Sequence, residues 1–298
     1  MSSSSRIGVM YDRALPPQGL MDFARAAEAA GADELWVVED LGFAGSISAA
    51  TAALAATSRI MVAIGVAPVP LRNPVLLAME LAAIARMFPQ RLIAGVGHGV
   101  KEWMTQVGAV PSSPLALLEE SVTVVRGLLR GERVTLHGRE VHLDGVQLVH
   151  PPEHVPGLMT GVVRPRSLEL SGRVADGTIL AEGHGPADVE FALTRIAKGR
   201  AAANPGLSGA HSLTVFTYLL ADGNGPGRRA LDDAIAEQAA WLERAPEHMF
   251  NAAGPQGTAT EAAAQVRELW SAGADCVVLR PVGRDPLSQL GATLAELR

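Results

Sequence analysis

Short apolar runs alternate with longer stretches in which apolar residues recur every three or four positions. The runs fall at residues 7–10, 35–38, 60–66 and 92–96, and again near 158, 178, 215 and 277. Such runs, bounded by turn residues, read as strands buried on both faces, and the 3.6-residue period between them reads as amphipathic helix. Helices are expected near 21–30, from about 46 to 57, and from Asn73-Pro74, an N-cap acceptor followed by a proline at the first helical position. Strands alternating with helices imply parallel pairing. Eight such units in 298 residues match a closed (β/α)8 barrel. An open doubly wound sheet is the alternative. It predicts a Gly-rich dinucleotide turn after the first strand, and residues 10–17 contain none.

One helix-to-strand junction recurs. Ala30-Gly31-Ala32-Asp33 precedes the second strand, Ala272-Gly273-Ala274-Asp275 precedes the last, and Ala175-Asp176-Gly177 is a looser relative. In each, a small residue ends a helix and the chain drops directly into a strand, which reads as structural repetition. Two segments interrupt the alternation, at about 111–156 and 228–256. The first carries a helix from Ser113-Pro114 to about Arg130, then a hairpin turning at His137-Gly138. The second is expected to be helical from about Arg228 to Phe250, and Thr258 and Glu261 form a capping box for the helix after it. Both are expected to belong to one domain spanning residues 1–298.

Composition narrows the function. A net charge of −6, with no lysine- or arginine-rich run, argues against general nucleic-acid binding. Cys276 is the only cysteine, so a reducing compartment fits. Residues 1–5 lack a basic region followed by an apolar stretch, and the apolar runs are too short to span a bilayer. The expectation is a cytoplasmic protein without a membrane partner. No metal-ligand spacing occurs among the histidines, so no metal site is expected.

In a (β/α)8 barrel the chemistry sits where the strands end. Glu39-Asp40 follow the second strand and can support proton transfer if partly buried, or else cap a helix. Gly65-Val66 end the third strand. Gly97-His98-Gly99 follow the fourth; the glycines leave room for a flat ring, or form an ordinary loop, and His98 is a proton carrier or a polar loop residue. Glu182-Gly183-His184 follow the sixth strand and Arg280 lies in the eighth. Trp103 reads as packing. After the fifth strand, residues 161–166 carry Gly161, Arg164 and Arg166 at a helix start. There free N–H groups and the helix dipole can hold a phosphate; the alternative is a solvated loop.

At these residues the chain resembles the bacterial luciferase-like superfamily of flavin- and deazaflavin-dependent oxidoreductases. The matching stretches are AGADELWVVED (30–40), the segment 55–87, RLIAGVGHGVKEWMTQVG (91–108), the hairpin 131–148 and GVVRPRSLELSGRVADG (161–177). The resemblance implies a (β/α)8 TIM barrel with insertion segments, holding coenzyme F420 or FMN at its C-terminal mouth. It implies a non-prolyl cis peptide at Gly65 and Val66 behind the cofactor ring, and a phosphate held by Gly161, Val162, Val163 and Arg164. Gly97, Gly99, Glu182, Gly183 and Arg280 complete the expected cofactor set; Glu39, Asp40 and His98 are the expected catalytic residues. Asp40 stands where many F420-dependent relatives carry histidine. Val100 stands where the sugar-phosphate dehydrogenases carry glutamate, so glucose 6-phosphate oxidation is not expected.

Three readings follow. The first is an F420-dependent oxidoreductase transferring a hydride between the deazaflavin and a small organic substrate. The second is an FMN-dependent monooxygenase supplied by a separate reductase, and the third a non-catalytic flavin-binding protein. The loops 40–46 and 98–112 and the insertion 228–256 are expected to contact the substrate. The apolar helices near 46–57 and 74–87 would suit a homodimer.

Overall fold

The computed structural model describes residues 5–202, 207, 209–222, 226–254 and 256–298, so most of the 1–5 stretch, residues 1–4, lies outside them. The eight barrel strands are β1 (Arg6–Met10), β2 (Glu34–Val37), β3 (Met61–Pro68), β4 (Leu92–Gly97), β7 (Gly157–Gly161), β8 (Gly177–Leu180), β9 (Ser212–Leu219) and β10 (Cys276–Pro281). All pair in parallel and close in the order β1-β10-β9-β8-β7-β4-β3-β2. This is the TIM barrel, and the doubly wound sheet is excluded because the ring has no edge. The helices are α1 (Leu20–Ala30), α2 (Ser46–Ala56), α3 (Pro74–Met87), α4 (Lys101–Gln106), α5 (Pro114–Leu129), α6 (Pro165–Val174), α7 (Pro186–Arg200), α8 (Pro226–Leu242), α9 (Ala259–Ser271) and α10 (Pro286–Leu297). No helix among the described residues is long and apolar enough to cross a membrane.

Side chains alternate across each strand and so divide the core in two. Outward residues such as Val9, Leu35, Val62 and Val277 pack under the helices. Inward residues, including Met10, Trp36, Ile93, Met159, Phe216 and Val278, fill the barrel. Trp36 and Phe216 meet edge-to-face at 5.1 Å. The interior is a packed plug, so chemistry has room only at its ends.

The recurring junction has a physical cause. Gly31 and Gly273 adopt φ of 89° and 111°, which a side chain would strain. The aspartate that follows clamps the neighbouring strand. Asp33 accepts from Ile7 N at 2.9 Å, Asp176 from Leu158 N at 2.9 Å and Asp275 from Leu213 N at 2.8 Å. Each carboxylate thus fixes parallel register at the N-terminal end of the barrel.

Asn73 caps α3, Ser113 caps α5, and Thr258 and Glu261 form the capping box of α9. The hairpin strands are β5 (Val134–His137) and β6 (His142–Val146). Glu120 of α5 holds their turn by accepting from the backbone of Arg139, Glu140 and Val141. Two expectations change. The second insertion is helical only to Leu242; Glu243 turns to positive φ, and the chain runs on to a short 3-10 turn at Pro246–His248. The short helix α4 was not expected.

Candidate functional site

Alternation along β10 points Cys276 and Val278 inward and carries Arg280 into the C-terminal mouth. Its guanidinium lies 2.7 Å from Asp12 and 3.1 Å from Glu182, with the Tyr218 ring 5.2 Å away. Burial lowers the pKa of Arg280, but the two carboxylates outweigh it and keep the group charged. Burial, then Glu182, pushes the Tyr218 phenol up. Arg280 therefore already has two anionic partners.

Beside this triad lies a second cluster. Arg13 bonds Asp40 at 2.6 Å and Glu237 of α8 at 2.9 Å. The rings of Phe43, Trp103 and Trp241 surround its guanidinium at 5.3, 5.8 and 5.4 Å, and the two tryptophans meet edge-to-face. Trp103 packs, as expected, but it packs around a charge. Burial raises the Asp40 pKa; Arg13 opposes the rise and Glu182 adds to it.

Its neighbour Glu39 behaves oppositely. Arg72 reaches it through two nitrogens at 3.0 and 2.8 Å, and Ser46, which opens α2, donates both its N–H and its hydroxyl. Burial pushes Glu39 up, yet these bonds bring its pKa below the ordinary value. Adjacent acids thus differ in environment: Glu39 holds a helix start, and Asp40 is buried beside Arg13 with its pKa raised. Burial lowers the His98 pKa, with the Pro114 backbone opposing it, and its Nδ1 is buried without a hydrogen-bond partner. His184 is buried and bonds the Ala181 carbonyl through Nδ1 at 2.8 Å.

The glycines at the mouth divide likewise. The Gly65-Val66 peptide is cis, and the β3–β4 register shifts between Ile64 and Ala67. The Val66 side chain lies between Gly97 and Gly161: a Cβ on either would come within 2.8 or 2.7 Å of it. Their small size thus already answers to Val66. Gly99 has φ of +69° and borders Pro68 and Met104. Gly183, at φ +92°, is covered by Met249 and pairs with Phe250 of the second insertion.

The loop after β7 ends in an open helix start. Val162 is buried and Val163 half-buried, which anchors the loop. Arg164 is the N-cap of α6, Pro165 follows, no side chain caps the helix, and its first backbone bond is Leu168 N to Arg164 O at 2.9 Å. The N–H groups of Arg166 and Ser167 therefore have no partner within the helix, donors of a kind suited to a phosphate. Arg166 is exposed. Arg164 is 63% exposed and pairs with Glu243 at 2.7 Å.

Sequence reasoning missed Asp12, Arg13, Tyr218, Glu237 and Trp241. A signal existed for the first two, since Asp12-Arg13 directly follow β1 under the strand-end rule that singled out Glu39-Asp40. Glu237 and Trp241 lie in the insertion expected to contact the substrate, but nothing in the sequence singled them out, because only the path of α8 brings them beside Arg13.

Known proteins share this architecture. The 5,10-methylenetetrahydromethanopterin reductase of Methanolobus tindarius is 29% identical over 192 residues, covering 64% of this chain and 58% of that protein. The F420-dependent glucose-6-phosphate dehydrogenase of Nakamurella multipartita is 31% identical over 182 residues, covering 57% and 54%. The chain thus spans just over half the length of these relatives. Among solved structures, the coenzyme F420 dependent tetrahydromethanopterin reductase from Methanopyrus kandleri matches with a TM-score of 0.85 at 17% identity, over 99% of this chain and 98% of that one. The oxygenating constituent of 3,6-diketocamphane monooxygenase from Pseudomonas putida, in complex with FMN, matches at 0.76 and 14%, over 99% and 98%. Such identities establish a shared fold and nothing finer. The sequence pattern of the luciferase-like monooxygenase family, however, matches residues 1–224, and the chain belongs to that family.

Proposed function

We propose that the protein is an F420-dependent oxidoreductase that transfers a hydride between the deazaflavin and a small organic substrate. The open, uncapped start of α6 at the barrel mouth carries this reading, because it offers a phosphate-bearing cofactor a ready donor set. The relatives with F420 in their names support the choice of cofactor. Bound F420 would supply the hydride; the chain supplies position and proton handling. Gly161, Val162, Val163 and Arg164 would hold the phosphate. Gly65, Val66, Gly97, Gly99, Glu182, Gly183 and Arg280 are the further residues that would line the cofactor's site. Asp40 would give or take the substrate proton, with Arg13 fixing its carboxyl; His98, on the loop after β4, is the further candidate proton carrier. Glu39 holds the start of α2.

A second reading, an FMN-dependent monooxygenase fed by a separate reductase, is favoured by the FMN complex of the diketocamphane enzyme. Anaerobic titration with F420 and with FMN separates the two. F420 is expected to bind below about 100 μM, a free energy near −5.5 kcal/mol. Failure of both cofactors to bind ends the oxidoreductase reading. Oxygen consumption with FMNH2 and substrate would favour the second.

We also place a second copy of the chain against α3, where Leu76, Met79 and Met87 are more than half exposed along one stripe. Analytical ultracentrifugation is expected to show a dimer that Met79→Glu dissociates. The buried, unpaired Cys276 fits the cytoplasm.

A further inference from the structure

A cavity of about 250 Å³ opens beside the mouth, between the β1–α1 loop and α2. Its walls are apolar: Tyr11, Leu15 and Leu20 on one side, Val38, Phe43 and Ala52 on the other. Four polar side chains line it: Tyr11, whose hydroxyl donates to the Pro16 carbonyl, and Asp12, Arg13 and Ser48. Asp12 and Arg13 belong to the mouth clusters, so the inner wall of the cavity is the network that holds Asp40.

Charge decides what can bind there. Asp12 is committed through one oxygen to Arg280 and through the other to the backbone of Ala14. Arg13 is committed to Asp40 and Glu237. Every charge lining the cavity is thus already paired, and a charged ligand would have to break a pair or be desolvated without a partner. An uncharged ligand meets neither cost. Two bonds leave the Arg13 guanidinium with further N–H groups, and the Ser48 hydroxyl stands at the rim, so one accepting oxygen can be satisfied. The volume lies just below the range of about 300–1,000 Å³ for sites of drug-sized ligands, which limits the ligand to a small molecule.

We infer that this cavity is the subsite for the apolar body of a small, uncharged carbonyl compound, whose oxygen faces Arg13 and Ser48. Its place in catalysis rests on the hydride-transfer reading above, whereas the binding itself does not. A mostly apolar chamber with a few convergent polar groups has the make-up of a small-molecule site. It also lies beside the carboxyl proposed to handle the proton.

Calorimetric titration of the full chain with acetophenone, benzoate and ethylbenzene tests this. Acetophenone is expected to bind, benzoate and ethylbenzene at least tenfold more weakly. Ala52→Phe fills the cavity and is expected to weaken acetophenone at least tenfold while F420 affinity and melting temperature stay unchanged. If that variant does not fold, Ser48→Trp, at an exposed position of the rim, takes its place with the same expectation. No acetophenone binding, equal binding of benzoate or ethylbenzene, or affinity unmoved by a folded filling variant overturns the inference. The parallel F420 and FMN titrations keep the two proposals apart. Acetophenone binding with neither cofactor bound upholds the cavity and ends the hydride-transfer reading; cofactor binding without acetophenone does the reverse.

Discussion

Guanidinium and carboxylate meet at both ends of this barrel, and the two ends use them differently. At the N-terminal end Glu34 is fully buried. Its Oε2 accepts from the Trp36 indole N–H at 2.8 Å and the Cys276 thiol at 3.3 Å, while its Oε1 forms an ion pair with Arg6 at 2.7 Å but accepts no hydrogen bond. One acid, one cation and two neutral donors leave no charge over. At the C-terminal end four carboxylates, Asp12, Asp40, Glu182 and Glu237, share Arg13 and Arg280. The excess acid is expressed at Asp40, whose pKa burial raises. Charge is balanced around Glu34 at the sealed end and left unbalanced at the mouth. That contrast follows the rule that barrel chemistry sits where strands end and barrel stability where they begin.

The largest effect should come from breaking the saturated end. Glu34→Ala leaves the Trp36 N–H and the thiol buried without an acceptor and Arg6 with only Ser212, and is expected to cost about 3–5 kcal/mol in stability. Thermal melting measures this, and F420 affinity of the folded fraction should hold. A variant that melts normally but no longer binds cofactor would move function to the wrong end of the barrel. Next in size is Arg164→Ala at the mouth, expected to weaken cofactor binding by about 1.5–3 kcal/mol, roughly 10- to 150-fold, with little change in melting. Unchanged affinity in a cofactor titration would remove Arg164 from the phosphate site.

The contrast also explains what could be read from sequence. The alternation of strands and helices, the recurring junction at residues 30–33, 175–177 and 272–275, and the caps at Asn73, Ser113 and Thr258 are local, so hydrophobic period and turn chemistry reveal them. The strand-end rule also located Asp40, Gly161 and Arg280. It did not show that Arg280 would be taken up by Asp12 and Glu182, or that Gly97 and Gly161 would be small because Val66 lies between them. Those are contacts across the ring, between residues far apart in the chain. The aromatic cage around Arg13 is the extreme case: its members come from three separate segments, and only closure of the barrel and the path of α8 bring them together.

Smaller effects test the imbalance through pH. A carboxyl whose folded pKa is raised contributes stability fully below its unfolded value and loses it as pH rises through the folded value. Asp40 is raised, so wild type should lose ground to Asp40→Asn as pH climbs from its ordinary value of 3.8 toward neutrality. Glu39 is lowered, so its contribution is present above 4.5 and lost as pH falls through the folded value; wild type should lose ground to Glu39→Gln on acidification. Melting curves of the three proteins across pH measure both slopes. Slopes of the same sign would show that the adjacent acids are not divided in role.

The smallest effect should come from the pair at the rim. Arg164 and Glu243 meet at 2.7 Å but are 63% and 75% exposed, so water screens them and ordering two long side chains offsets most of the gain. Glu243→Ala is therefore expected to change stability by less than about 0.5 kcal/mol. It also frees the Arg164 guanidinium from a competing carboxylate, so cofactor affinity should hold or rise slightly. A loss of several degrees in melting temperature would mean that this exposed pair pins the end of α8 over the mouth. The mouth would then depend on its ion pairs for shape as the sealed end does, and the division between a balanced, fold-securing end and an unbalanced mouth would fail at its weakest contact.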